Sequence, residues 1–411
     1  MNVLTIINIV LTSLLVICYA YQFIYIPISL KGRKRPPETS SFLSFAVIIC
    51  ARNEQSVIGR VIDSLQAQDY PKDKYRVFVA ADNCTDETRS VAEAHGAVVY
   101  ERFDSERVGK GYAMDYLIRR IRDEYPGEYG AYLVLDADNS VMENYLTQMN
   151  KTFALGYDCV TSYRGSANYA DNWISAGQGM CFLRDMVLLN RARHVLGSSS
   201  FVSGTGYAFT DRLCDGFGGG WPFTTLTEDC EFTMYCTTEG VKMGFCDSAR
   251  FLDEQPTGFL ESWRQRLRWC RGGIQVFVKY IRKILEGLLH GRFFASFDMA
   301  MCMAPAYLIS VSVALVNTVG SAVAIALGED PVEIFVTLGL GLLAVYIAFL
   351  GFSIPLTVTE WRELGGSAFK KILYMLTFPA FMLTFVPITC VALFKRSGTW
   401  QHTKRKNETK K

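Results

Sequence analysis

The chain predicts an α/β domain with a mainly parallel sheet, inserted between transmembrane helices. Three observations carry that fold class. Residues 1 to 30 contain no charged side chain. Three further uncharged blocks, Met299 to Gly328, Ile334 to Thr359 and Ile372 to Phe394, are each long enough to cross a hydrocarbon core about 30 Å thick. Between them, residues 36 to 298 hold most of the charge and alternate short β-branched runs with helical spacing, as a folded cytosolic domain on a membrane anchor does.

Taken in order, residues 1–30 read as one transmembrane helix. A cleaved signal peptide would carry its positive charge ahead of a shorter apolar core; here Lys31, Arg33, Lys34 and Arg35 follow the run and keep that end in the cytoplasm. Residues 42–258 form the α/β domain. FAVIIC (Phe45 to Cys50) reads as its first strand and Asn53 to Asp69 as a helix. RVFVAA (Arg76 to Ala81) is a second strand, followed by the turn DNCTDE and a helix reaching His95. Strands recur at Ala97 to Tyr100 and Ala131 to Leu135, with a helix from Gly111 to Asp123 between them. Residues 259–298 mix Trp, Leu, Ile and Val with Arg and Lys at helical spacing, which predicts one or two amphipathic helices against the membrane. The C-terminal blocks fill 299–394, and a basic tail closes the chain at 395–411. Three single spans would leave that tail outside, against the positive-inside tendency. Pro379 and Pro387 offer the alternative of a re-entrant pair of half-helices.

Composition removes several functions. The net charge of +2 in 411 residues gives no footprint for nucleic acid, and the basic residues gather beside the apolar blocks, where anionic lipid is the partner. The 12 cysteines show no Cys-x-x-Cys spacing and the chain has 4 histidines, so neither a zinc framework nor a disulfide scaffold has support; reduced thiols in a cytosolic domain fit.

In an α/β sheet the strand ends present ligand-binding loops, and here they deliver carboxylates repeatedly: Glu54, Asp82, Asp136 and Asp138. Asp136-Ala-Asp138 follows an apolar strand directly, a placement suited to Mg²⁺ or Mn²⁺ bridging a diphosphate. Lys110 sits between glycines that allow close backbone approach, and its amine can neutralise phosphate. Asp82 and Asn83 can hydrogen-bond a base, and also make good turn and cap residues. Thr227, Glu228 and Asp229 stand ahead of a helix, where an ordinary N-cap with acidic first-turn residues is the structural alternative. In QRLRW, Gln265, Arg268 and Trp269 share one helix face: an amide for a hydroxyl-rich acceptor, a guanidinium for a diphosphate and a flat ring for a sugar.

In sequence, ARNE at 51–54, ADN at 81–83, GKG at 109–111, DAD at 136–138, SGTGYAF at 203–209, TED at 227–229 and QRLRW at 265–269 resemble the motif series of membrane-bound family 2 glycosyltransferases, the group of cellulose, chitin and poly-N-acetylglucosamine synthases. The resemblance implies a GT-A, Rossmann-like fold and inverting transfer from a UDP-sugar donor. It implies that Ala51, Glu54, Asp82 and Lys110 hold uridine and diphosphate, and that Asp138, with Asp136, holds the metal. Asp229 is then the general base, and Arg268 with the metal stabilises the leaving diphosphate. Gln265, Trp269 and the segment containing Gly204 and Thr205 form the acceptor site. TED matches the cellulose and poly-N-acetylglucosamine type better than hyaluronan synthases.

The main functional expectation is a multi-pass enzyme of the plasma membrane that extends a β-linked poly- or oligosaccharide with a hexose or N-acetylhexosamine. Four membrane segments are few for a secretion channel, so an export partner subunit would complete that path. The alternative is a non-processive transferase that glycosylates a membrane lipid. A nucleotide-binding transporter or scaffold has little behind it, since no charge sits in mid-span of the C-terminal blocks.

Overall fold

The structure, a computed structural model, describes residues 3–31 and 36–394. Arg33, Lys34, Arg35 and the basic tail at 395–411, on which the orientation argument leans, lie outside the described residues.

Eight strands form one sheet: β1 (Phe45–Ala51), β2 (Tyr75–Asp82), β3 (Val98–Arg102), β4 (Ala131–Leu135), β5 (Ser140–Val141), β6 (Cys159–Ser166), β7 (Tyr207–Thr210) and β8 (Met243–Asp253), in the order β3-β2-β1-β4-β7-β6-β8-β5. The helices are α1 (Val3–Tyr19), α2 (Tyr21–Lys31), α3 (Ile58–Gln66), α4 (Thr88–Ala94), α5 (Lys110–Glu124), α6 (Tyr145–Phe153), α7 (Trp173–Leu183) and α8 (Arg191–Leu196). Then follow α9 (Asp211–Gly216), α10 (Glu228–Glu239), α11 (Phe259–Leu289), α12 (Phe293–Met301), α13 (Ala304–Ala326), α14 (Pro331–Thr359), α15 (Ala368–Leu383) and α16 (Phe385–Phe394).

The first half of the sheet winds as the sequence predicts. Strands β3, β2, β1 and β4 are parallel neighbours, with Ala51 in register with Ala81 and Ile49 with Leu135. Alternate residues of each strand face opposite layers. Val47, Ile49, Val79 and Leu133 pack on α3 and α6, while Ile48, Phe78 and Val134 pack on Met114, Leu117 and Ile121 of α5. Each fully buried aliphatic side chain contributes about 1.5–3 kcal/mol. The chain builds outward from β1 to β3 and then returns to place β4 on the other side of β1, so a crevice opens where the order reverses.

In the second half β6 and β8 run in the same direction as the first four strands, so the sheet is mainly parallel as the sequence predicts. The exceptions are β7, antiparallel to both β4 and β6, and β5, antiparallel to β8. β7 overlaps the end of SGTGYAF and runs one residue past it to Thr210, too short a run to show a strand's direction. The helix expected over 53–69 begins at Ile58, because the chain first makes a turn in which Asn53 takes φ 57° and the Glu54 N–H donates to Thr88 Oγ1.

Among the described residues, four helical segments are long and apolar enough to cross a membrane: Val10–Lys31, Leu308–Ala326, Pro331–Thr359 and Ala368–Phe394. The amphipathic stretch is a single helix of 31 residues, α11. One side packs Cys270 on Ile388 and Ala392 of α16, and another packs Val276 and Ile284 on Met234 and Met299. The last apolar block is two helices meeting at Thr384, between its two prolines. Buried Arg266 of α11 sits at that break, donating to Thr384 Oγ1 at 2.5 Å with its guanidinium over the Phe381 and Phe385 rings.

Candidate active site

The C-terminal ends of β1, β2 and β4 open into one cavity of about 1510 Å³. Ala51, Glu54, Asp82, Lys110, Asp136 and Asp138 line it on this side. Lys110, the first residue of α5, donates to Asp136 Oδ1 at 2.5 Å and to the Gly204 carbonyl at 2.7 Å. Burial opposes its charge, but the carboxylates of Asp136 and Glu228 outweigh burial and raise its pKa. A fixed cation therefore stands where a diphosphate would enter. Asp82 accepts from Arg102 at 2.6 Å and from the Asn83 amide at 3.1 Å; burial raises its pKa against the pull of Arg102.

The opposite wall comes from the start of α10 and one face of α11. Glu228 and Asp229 open α10 and line the cavity with Gln265, Arg268 and Trp269. Thr227 makes no side-chain cap bond, so the plain N-cap reading of TED does not describe this turn. Burial raises the pKa of Asp229, offset by the Cys230 N–H, Arg268 and Lys110. Burial and then Asp229 raise Glu228. Two buried carboxyls beside two cations make a site where one group can hold a proton near neutrality. Arg268 donates to the Leu226 carbonyl at 2.7 Å, tying α11 to the loop before Asp229. Gln265 Oε1 accepts from the Gln178 amide at 2.6 Å, and Trp269 packs edge-on against Phe182 at 5.5 Å.

Of the residues expected to bind the acceptor, Gly204, Gln265 and Trp269 line the cavity; Thr205 does not. Thr205 is buried beneath it, where its hydroxyl accepts from the Asp136 N–H at 2.9 Å and donates to Asn139 Oδ1 at 2.5 Å. The Asp136 N–H, turned inward after β4, is shared between this hydroxyl and Asn139 Oδ1 at 3.0 Å. Gly204 adopts φ 78°, and its carbonyl meets Lys110.

The fold implies a divalent cation. No group of three or more His, Cys, Asp or Glu that could hold a metal ion exists among the described residues. Asp136 and Asp138 line the cavity from one turn, and two carboxylates suit a hard cation that takes its remaining ligands from phosphate and water.

Three residues absent from the motif series support the site, of which Arg164 lines the cavity itself. Gln178, fully buried in α7, positions Gln265 and accepts from Ser262 Oγ at 2.9 Å. Arg164 at the end of β6 pairs with buried Asp253, donates to the Ser203 carbonyl at 2.8 Å and lies 3.5 Å from the Phe182 ring centroid. Arg102 holds Asp82. A lone amide in the apolar run of α7 and a cation at a strand end were the available signals for the first two.

The sequence model described as glycosyltransferase like family 2 matches residues 43–272. Among curated proteins, the chain is 27% identical over 252 residues to a beta-monoglucosyldiacylglycerol synthase of Synechocystis sp., covering 60% of this chain and 51% of that protein. It is 25% identical over 270 residues to the synthase of the same name from Nostoc sp., covering 64% and 56%, and 22% identical over 261 residues to a probable glycosyltransferase, YdaM, of Bacillus subtilis, covering 59% and 58%. The chain thus spans about half the length of the curated relatives it matches. In structure it resembles a mannosyltransferase of Pyrobaculum calidifontis solved with GDP-Man and Mn²⁺, with a TM-score of 0.61, 18% identity and coverage of 96% of this chain and 100% of that one; the likeness carries the GT-A fold. With more than half its length matched, the chain belongs to glycosyltransferase family 2.

Proposed function

We propose that the protein is a membrane-embedded, inverting glycosyltransferase that moves a hexose or N-acetylhexosamine from a UDP-sugar to the hydroxyl of a membrane lipid, with its catalytic domain in the cytoplasm. The single observation that carries the reading is the convergence of Lys110, Asp136, Asp138, Asp229 and Arg268 on one cavity that continues among the membrane helices. The relatives whose names specify an acceptor are diacylglycerol glucosyltransferases, so the lipid acceptor stands ahead of the growing polysaccharide first expected.

The chemistry follows from the walls. The diphosphate lies against Lys110 on one side and Arg268 on the other, with the base near Asp82 and Asn83. A divalent cation held by Asp136 and Asp138 would supply further positive charge to the diphosphate. Asp229 takes the proton from the acceptor hydroxyl as its oxygen attacks the anomeric carbon. The bond to the diphosphate oxygen breaks on the opposite face, so the configuration inverts and UDP leaves with its electron pair. Gln265, fixed by Gln178, orients the hydroxyl, and Trp269 offers an apolar platform.

The test is transfer from radiolabelled UDP-hexoses by the purified protein in lipid nanodiscs. Asp229→Asn lowers kcat by about 10²–10⁴-fold with donor binding retained, and EDTA suppresses turnover until Mn²⁺ or Mg²⁺ is restored. Full activity of Asp229→Asn refutes the assigned base, and a radiolabelled polymer in place of a singly glycosylated lipid refutes the acceptor.

A further inference from the structure

The cavity is larger than a nucleotide-sugar requires. Small-molecule sites occupy about 300–1,000 Å³, against about 1510 Å³ here, and the excess extends between α1, α13 and α14. Val16 and Tyr19 of α1, Val313 and Asn317 of α13, and Gly341 and Val345 of α14 wall this arm. Along α13 the lining residues run from Ala306 to Thr318, which at 1.5 Å per residue is about 18 Å. Along α14 they run from Thr337 to Phe352, about 23 Å, both spans being shorter than a hydrocarbon core of about 30 Å. The last turns of α13, to Ala326, and the first turn of α14, from Pro331, do not line the arm. Where the arm meets the polar end, the wall carries Arg184 and Asp185 from the π-helical turn Arg184–Asn190, with Arg193 and Cys302. Arg184 donates to Asp185 Oδ1 from both Nε (3.0 Å) and its terminal nitrogen (2.7 Å).

We infer that this arm is the acyl-chain site of the acceptor: a diacyl lipid with a free hydroxyl enters from the leaflet facing the catalytic domain, its chains between α1, α13 and α14 and its ester region beside Arg184 and Asp185. The inference rests on the lipid-acceptor reading above and adds which part of the molecule selects the lipid. An apolar slot among the apolar helices, joined to a polar chamber holding Asp229, matches an amphiphile whose hydroxyl must reach the base while its chains stay in hydrocarbon.

Two glycines of α14 make the test clean. A Cβ at Gly339 or at Gly341 meets nothing within 4 Å, yet only Gly341 lines the arm. Transfer from a UDP-hexose to dioleoylglycerol and to dibutyrylglycerol is measured for the wild type, Gly341→Phe and Gly339→Phe. In Gly341→Phe the long-chain to short-chain activity ratio falls by about tenfold, whereas in Gly339→Phe it stays at the wild-type value. A diacylglycerol carrying a diazirine at mid-chain labels peptides of α13 and α14 in the wild type, and excess dioleoylglycerol removes the label. An unchanged ratio in Gly341→Phe, an equal fall in both variants, or labelling confined to segments other than α1, α13 and α14 overturns the arm while leaving the transferase reading intact. Failure of the wild type to glycosylate either diacylglycerol overturns the lipid-acceptor reading itself.

Discussion

Asp229 sits where burial favours its neutral form and Arg268 and Lys110 favour its charged form, with burial the larger influence. A general base must be deprotonated to act, so activity falls as pH drops through its raised pKa. The acid limb of the kcat profile therefore lies above 3.8, the ordinary aspartate value. Arg268→Gln removes one cation that lowers this pKa, and the limb of its residual activity moves to higher pH; a limb that stays put or moves down contradicts the assignment. The carboxylates at the strand ends were legible in the sequence because each follows an apolar run directly. The partners that tune them were not. Arg102 for Asp82 and Gln178 for Gln265 come from other segments, and nothing local marks which distant residue closes a hydrogen bond.

Two helix starts depend on missing side chains. A Cβ at Gly111 would lie 2.2 Å from the Phe223 carbonyl oxygen, and one at Gly272 would lie 2.3 Å from Thr227 Oγ1. Neither neighbour is the flexible end of a long side chain, so the element itself must shift. Gly111→Ala pushes the start of α5 off the 223 loop and draws Lys110 away from Asp136. The expected result is a fall in kcat/KM for the donor on the order of 10–100-fold, with circular dichroism unchanged; wild-type kinetics would show that Lys110 needs no such placement. At this scale the central parallel strands β1 and β4 could be read from their uniformly apolar runs, since nearly every residue in them is buried. β7 could not. Its direction is fixed by pairing with β4 and β6, a contact between segments far apart in sequence. The QRLRW face was readable from helical spacing alone, and α11 turns Gln265, Arg268 and Trp269 to the cavity together.

Over the whole molecule, the N-terminal membrane helices are pinned to the catalytic unit by one buried cluster. Arg193 of α8 donates from Nε to Asp298 at 2.7 Å and from a terminal nitrogen at 2.9 Å, and the hydroxyls of Tyr21 and Tyr25 donate to the same carboxylate at 2.7 and 2.8 Å. Asp298→Ala leaves a fully buried guanidinium uncompensated, at a cost of about 3–5 kcal/mol. The expected outcome is a markedly lower Tm in detergent than for the wild type, and an unchanged Tm would show that the cluster does not hold the helices. None of its members stood out in sequence, because a single Arg, Asp and two Tyr in separate helices form no pattern until the helices pack.

The antiparallel strand β7 divides the sheet into two territories. On one flank, parallel strands carry Glu54, Asp82, Asp136 and Asp138, the groups proposed to meet nucleotide and phosphate; on the other, β6 and the helices beyond it form the wall proposed to receive the acceptor. The halves are stitched at more than β7, because Asn139 after β4 donates to Asp253 at the end of β8 and β5 pairs with β8. Asp229 and Arg268 also stand beyond β7, so any exchange of the far flank for a new recipient must carry the start of α10 and the QRLRW face with it.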